Sequence, residues 1–161
     1  MIIKFEDIAE LRQVHKKSRT VFFDGVFDMF HLGHLTALQS LSTYGDVVIV
    51  GIMSDEWVKD NKGDFRPIMN QSERAAIVDS IKGVNYVLIL ENKVRLKTSE
   101  VLKALTPDVF VTSDSMWSDK FSDLGFGEIE LQIVDRKPSD IQSNIHPPST
   151  TDLIKYIKGL D

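Results

Sequence analysis

A chain of 161 residues has the size of one ordinary domain and can bury one sizeable core. Hydrophobic residues make up 42% and charged residues 27%, a soluble globular profile, and a formal net charge of -5 argues against life on a nucleic-acid backbone. The absence of cysteine excludes disulfides, thiolate metal sites and a cysteine nucleophile.

In chain order, Phe5, Ile8, Leu11 and Val14 recur at steps of three, which predicts an amphipathic helix over 6–16. The N-terminal stretch carries acids where a signal peptide is apolar, and no run approaches the roughly 20 apolar residues of a membrane span, so the cytoplasm is the expected compartment. TVFFD reads as a buried strand at 20–24 and HLTALQSLSTY as a helix ending near Gly45. DVVIVGIM, at 46–53, is the strongest strand signal. Residues 54–60 suit a turn or two of helix, and KGDFRP reads as a loop. Asn70 is placed to cap a helix through SERAAIVDSIK that Gly83 stops. YVLIL, DVFVT and EIELQIV read as three more strands, with a helix at 97–105 between the first two. A polar, Pro-containing stretch over 136–148 precedes a last helix from about Ser149. Alternating strands and helices predict a parallel five-stranded sheet covered by helices on both faces. With no linker or repeat, residues 1–161 read as one domain, with 1–18 as a helical extension.

Open sheets of this kind bind ligands beyond the carboxyl ends of their strands. The segments there are 24–34, 54–66, 112–117 and the approach to Ser149. In GVFDMFHLGH, His31 and His34 lie where a strand passes into a helix. A helix start offers N–H groups and a positive dipole end to phosphate, imidazole N–H groups add donors, and Gly25 and Gly33 allow close backbone approach. The same histidines also suit capping, packing or part of a metal site, although H-x-x-H without acidic company lacks a full ligand set. Lys59, Lys62 and Arg66 supply cations after the second long strand, and Arg74 offers a planar fork; a solvated loop and an ordinary helix are the plainer accounts. Asp114 can hold a hydroxyl or an amine, and Trp117 can cover a base or simply pack in the core. Ser149, Thr150 and Thr151 suit an N-cap and equally an anion site.

GVFDMFHLGH resembles the G-x-F-D-x-x-H-x-G-H signature of the cytidylyltransferase-like nucleotidyltransferases. SDEWVKDNK, Ser72-Glu73-Arg74, DVFVTSDSMWSDKF and PSTTDLI resemble further elements of that family in the same order, from about residue 20 to 157. The resemblance implies a Rossmann-like fold and the reaction of a nucleoside triphosphate with a phosphorylated acceptor to release pyrophosphate. It implies that His31, His34, Lys59 or Lys62, and Arg74 act on the reacting phosphates. Gly25, Val26, Phe27, Asp28, Gly33, Asp114, Ser149, Thr150 and Thr151 would hold the nucleotide, and Asp55, Trp117 and Arg136 the acceptor. Val26 stands where many relatives carry Thr or Ser, which leaves only its backbone N–H. Residues 136–148 are longer than the corresponding run of the glycerol-phosphate enzymes. Asp28 is open between orienting a histidine and acting on a metal.

Mg²⁺ is expected to accompany the triphosphate, and a homodimer is the expected assembly. The D-x-x-W-x-x-K-F stretch leans toward CTP with a polyol, amino-alcohol or sugar phosphate. The N-terminal helix and the RPI run at 66–68 resemble instead the ADP-heptose-synthesising adenylyltransferase domain, which makes ATP the alternative. A non-catalytic nucleotide-binding module is the reading of another class.

Overall fold

The computed structural model describes residues 1–91, 98–134 and 149–158, apart from the side chain of Lys120. Six strands form one parallel sheet: β1 (Ile2–Ile3), β2 (Thr20–Gly25), β3 (Val47–Met53), β4 (Tyr86–Leu90), β5 (Val109–Thr112) and β6 (Glu130–Ile133). Their order is β1-β4-β3-β2-β5-β6. The expected five strands are all present; the sixth, β1, pairs Ile2 with Val87 and Ile3 with Leu88 at the edge. Two residues are too few to show a period, and the helical spacing that begins at Phe5 hides them. That spacing resolves into a 3-10 turn at Phe5–Asp7 and helix α1 (Ile8–Val14).

Each long strand is apolar on both sides because each is covered on both sides. Phe22, Ile49, Leu88 and Phe110 point to one face, where they meet Leu11 of α1 and Val101, Leu102 and Leu105 of α5 (Thr98–Leu105). Val21, Phe23, Val48, Val50, Val109 and Val111 point to the other. There they meet Leu38 of α2 (Leu32–Ser40) and Ala75 and Val78 of α4 (Gln71–Asp79). Burying a side chain such as Phe22 or Phe110 contributes about 1.5–3 kcal/mol. Asn70 caps α4 as expected, accepting from the Ser72 and Glu73 amides at 3.0 Å each, and Glu73 reaches back to the Asn70 amide.

The chain runs from β2 outward to β3 and β4, then returns to place β5 on the other side of β2. Strand order therefore reverses between β2 and β5, and the ligand crevice belongs above their carboxyl ends. Helix α3 (Asp55–Lys62) follows β3, and α6 (Met116–Asp123) follows β5. Helix α7 (Thr150–Lys158) is the last described element.

Candidate active site

The turn from β2 into α2 is the centre of the site. Phe27 and Met29 both take positive φ, 57° and 48°, a region that side chains other than glycine seldom adopt. A Cβ at Gly25 would lie 2.9 Å from the Phe27 ring, so only glycine leaves that ring its place. His31 stands at the N-cap of α2 with extended backbone, and its side chain caps none of the first amides. The His31 and His34 rings stack with centroids 3.9 Å apart and planes 20° apart. Phe27 and Phe30 flank His34, at 5.4 and 5.5 Å between centroids. Burial lowers the His31 pKa, which favours the neutral ring. Its Nδ1 is buried with no hydrogen-bond partner among the described residues.

Asp28 is buried, and the hydrogen bonds of its carboxylate go to the 66–69 loop. Its carboxylate accepts from Arg66 Nε at 2.8 Å, from the Ile68 amide at 3.0 Å and from the Met69 amide at 2.9 Å. Its backbone carbonyl accepts from the Thr150 hydroxyl at 2.8 Å. One residue thus ties the 66–69 loop and the start of α7 to the histidine turn. Both carboxylate oxygens have donors, which gives Asp28 a positioning part in the turn.

Arg74 differs from expectation in the same way. It is 0% exposed. Its guanidinium donates to the carbonyls of Val26, of Met69 at 3.0 Å and of Met53 at 2.7 Å, and to Asp55 Oδ1 at 2.6 Å. An arginine so enclosed cannot reach a substrate phosphate in this conformation. It joins the ends of β2 and β3 to α3 and α4, and it takes up one oxygen of Asp55. Charge type and helix position were visible in the sequence, but burial was not.

Lys59 and Lys62 lie exposed on α3, and Lys59 is 3.6 Å from Asp64 in a solvent-facing pair. Ser149 caps α7, with its hydroxyl 2.7 Å from Asp152 Oδ2, and Thr151 is exposed beside it. The Thr150 contact brings this helix start to the histidine turn across 122 positions of sequence. Asp114 is exposed after β5 and accepts from the Met116 amide at 2.9 Å. Trp117 is partly buried and packs edge-on against Phe110 at 5.0 Å and Phe121 at 6.3 Å. One side of Trp117 is thus a core contact. Arg136 and the 136–148 stretch lie outside the described residues.

One residue went unselected. Asp24, the penultimate residue of β2, accepts from the Thr98 hydroxyl at the start of α5. Its pKa is pushed up to about 6, chiefly by burial, with repulsion from Asp114 adding and the Thr98 bond opposing. In the sequence it looks like a strand terminus; the signal available was an acid directly before the glycine of the motif, at the switch point.

The model of the family described as Cytidylyltransferase-like matches residues 22–156. The chain belongs to the cytidylyltransferase-like family. It is a nucleotidyltransferase, and the histidine turn lies within the matched residues. Among its relatives, the Bifunctional protein HldE of Campylobacter fetus is 34% identical over 157 residues, covering 97% of this chain and 32% of the relative. The Bifunctional protein HldE of Nitratiruptor is 43% identical over 109 residues, covering 66% and 23%. The chain thus spans about a third or less of these relatives. Among solved structures, the lipopolysaccharide core biosynthesis protein of Thermoplasma volcanium superposes with a TM-score of 0.61 at 22% identity, covering 73% of this chain and 98% of that one. That likeness is one of fold. No helix among the described residues is long and apolar enough to cross a membrane.

Proposed function

We propose that this family member transfers the adenylyl group of ATP to a sugar phosphate and releases pyrophosphate, the ADP-heptose type of reaction. The observation that carries the reading is the HldE match along 97% of the chain. The D-x-x-W-x-x-K-F stretch that leans toward CTP loses weight, because Trp117 packs against Phe110 and Phe121.

In this reaction an oxygen of the acceptor phosphate forms a bond to the α-phosphorus. The bond from that phosphorus to the bridging oxygen breaks, and pyrophosphate leaves with the electron pair. Positioning and charge stabilisation suffice, with no covalent intermediate on the protein. The stacked His31 and His34 rings, at the uncapped start of α2, are placed to donate to the α-phosphate as charge builds. The burial that lowers the His31 pKa favours a neutral donor, which would hold pyrophosphate less tightly than a charged one. The start of α7, tied to the same turn through Thr150, is placed to hold the departing phosphates. Lys59 and Lys62 add exposed positive charge.

Mg²⁺ fits this site as a cation carried by the triphosphate. Among the described residues no three His, Asp or Glu side chains form a ready cage, and such a cation needs only one or two carboxylates besides phosphate oxygens. Asp24 and Asp114, whose mutual repulsion a cation would relieve, are the carboxylates suited to hold it, and it would offset triphosphate charge.

The test is pyrophosphate release with ATP and with CTP, each against a panel of phosphorylated sugars, polyols and amino alcohols. Release with ATP and a sugar phosphate is expected. Release only with CTP overturns the nucleotide assignment, and nucleotide binding without release from any acceptor favours the non-catalytic module.

A further inference from the structure

Arg66 stands outside the residues so far given a substrate. Its Nε is anchored on Asp28 in a pair that leaves Asp28 fully covered and the Arg66 side chain 15% exposed. Among the described residues no acceptor bonds its two terminal Nη groups. An arginine held through Nε presents its remaining N–H donors as a rigid fork, a shape matched to phosphate oxygens. It borders a recess of about 390 Å³ lined also by Asp55, Glu56, Lys59, Ile68 and Asn70. That volume lies in the range of small-molecule sites.

The place of this recess follows from Asp28. The start of α7 reaches the Asp28 carbonyl, and Arg66 reaches the Asp28 carboxylate. Two anion-binding groups therefore converge on the histidine turn from separate parts of one residue. Phosphoryl transfer sets attacking and leaving oxygens roughly in line, so the acceptor must enter away from the departing pyrophosphate. We propose that the Arg66 recess is the acceptor subsite and that its ligand is a phosphorylated sugar or polyol. Arg66, with Lys59 at the rim, takes the phosphate. Asp55, which bonds Arg74 through Oδ1 alone, Glu56 and the side-chain NH2 of Asn70 take hydroxyls. Paired carboxylates beside a cationic fork suit a polyhydroxylated phosphate better than a flat base. The inference rests on nucleotidyl transfer at the histidine turn, not on the choice of ATP over CTP.

The experiment titrates inorganic phosphate into the ¹⁵N-labelled full chain and follows backbone amides and arginine Nε–H signals. The Arg66 Nε–H and the amides of Asp55, Glu56 and Ile68 are expected to shift together. Arg66→Gln should weaken phosphate at these signals by about tenfold or more, the loss of a charge-assisted bond, and should weaken ATP, measured by calorimetry, by clearly less. Arg66→Lys should recover part of the phosphate affinity. Unmoved recess signals in the wild type overturn the proposal, and that arm needs no variant to fold. Loss of ATP affinity equal to the loss for phosphate also overturns it, by assigning Arg66 to the triphosphate. Phosphate mapping to the recess in a chain that releases no pyrophosphate would leave the subsite standing and remove the proposed reaction.

Discussion

Asp24 offers a test in which the sign and size both follow from the site. Its carboxyl holds a proton up to about 6 in the folded chain, against 3.8 for an unperturbed one. Below the lower value both states are protonated and nothing is lost. Above it the unfolded chain ionises first, so folding is penalised, and the penalty levels off above the folded value. The gap of about 2.2 units corresponds to about 3 kcal/mol at pH 7.5 and about half that at pH 5. Asparagine has the same shape, keeps an oxygen for the Thr98 hydroxyl and carries no charge toward Asp114. Asp24→Asn should therefore be more stable than the wild type by about 3 kcal/mol at pH 7.5, with the advantage shrinking toward pH 4. Guanidinium unfolding of both proteins at stepped pH gives the difference directly. A difference that does not change with pH, or that favours the wild type at pH 7.5, refutes the reasoning. A carboxylate kept against stability at a strand switch point is a candidate for function, so the same variant is expected to lose turnover as it gains stability.

His31→Ala and His34→Ala should each lower pyrophosphate release by about 10²–10³, the usual effect of removing one donor to developing charge; near-normal release in both sinks the role given to the pair. Arg74→Met removes the donor to three carbonyls and Asp55 and should cost about 3–5 kcal/mol in denaturant unfolding; a loss below about 1 kcal/mol would show that the buried hub matters little. Trp117→Ala should cost about 2–3 kcal/mol of stability and leave the Michaelis constants for ATP and CTP unchanged; a raised constant for either nucleotide returns Trp117 to the binding surface.

Much of the fold could be read along the chain because its strands are buried on both faces. TVFFD, DVVIVGIM, YVLIL and DVFVT are continuous apolar runs, and each matches a strand to within a residue or so. Strand β1 escaped because two residues carry no period. Helix α6 is short and mostly polar, and of its apolar positions Trp117 and Phe121 turn to the core while Met116 is exposed. In the site, the histidine pair at the strand-to-helix turn, Gly25 and the Ser149 cap were legible, because their residue types and spacing are local. The partners of Asp28, Arg66 and Arg74 were not. An arginine at the start of a helix reads as exposed by default, and only tertiary structure shows that four acceptors enclose it.

The histidine turn also explains why those enclosed charges exist. Phe27 and Met29 hold left-handed backbone on either side of Asp28, and such conformations cost of order 1–3 kcal/mol each unless the surroundings over-determine them. Here the surroundings do so at three successive residues. Arg74 fixes the Val26 carbonyl, Phe27 is buried against Phe23 and His34, and Asp28 is held through both its carboxylate and its carbonyl. The hydrogen-bond partners come from 38 to 122 positions away. A buried ion pair adds little net stability, since desolvation offsets its attraction, so Asp28–Arg66 and Asp55–Arg74 are poorly explained as stabilisers of the sheet. They are well explained as clamps that keep a strained turn in one shape, with two stacked imidazoles and a helix start facing the crevice between β2 and β5.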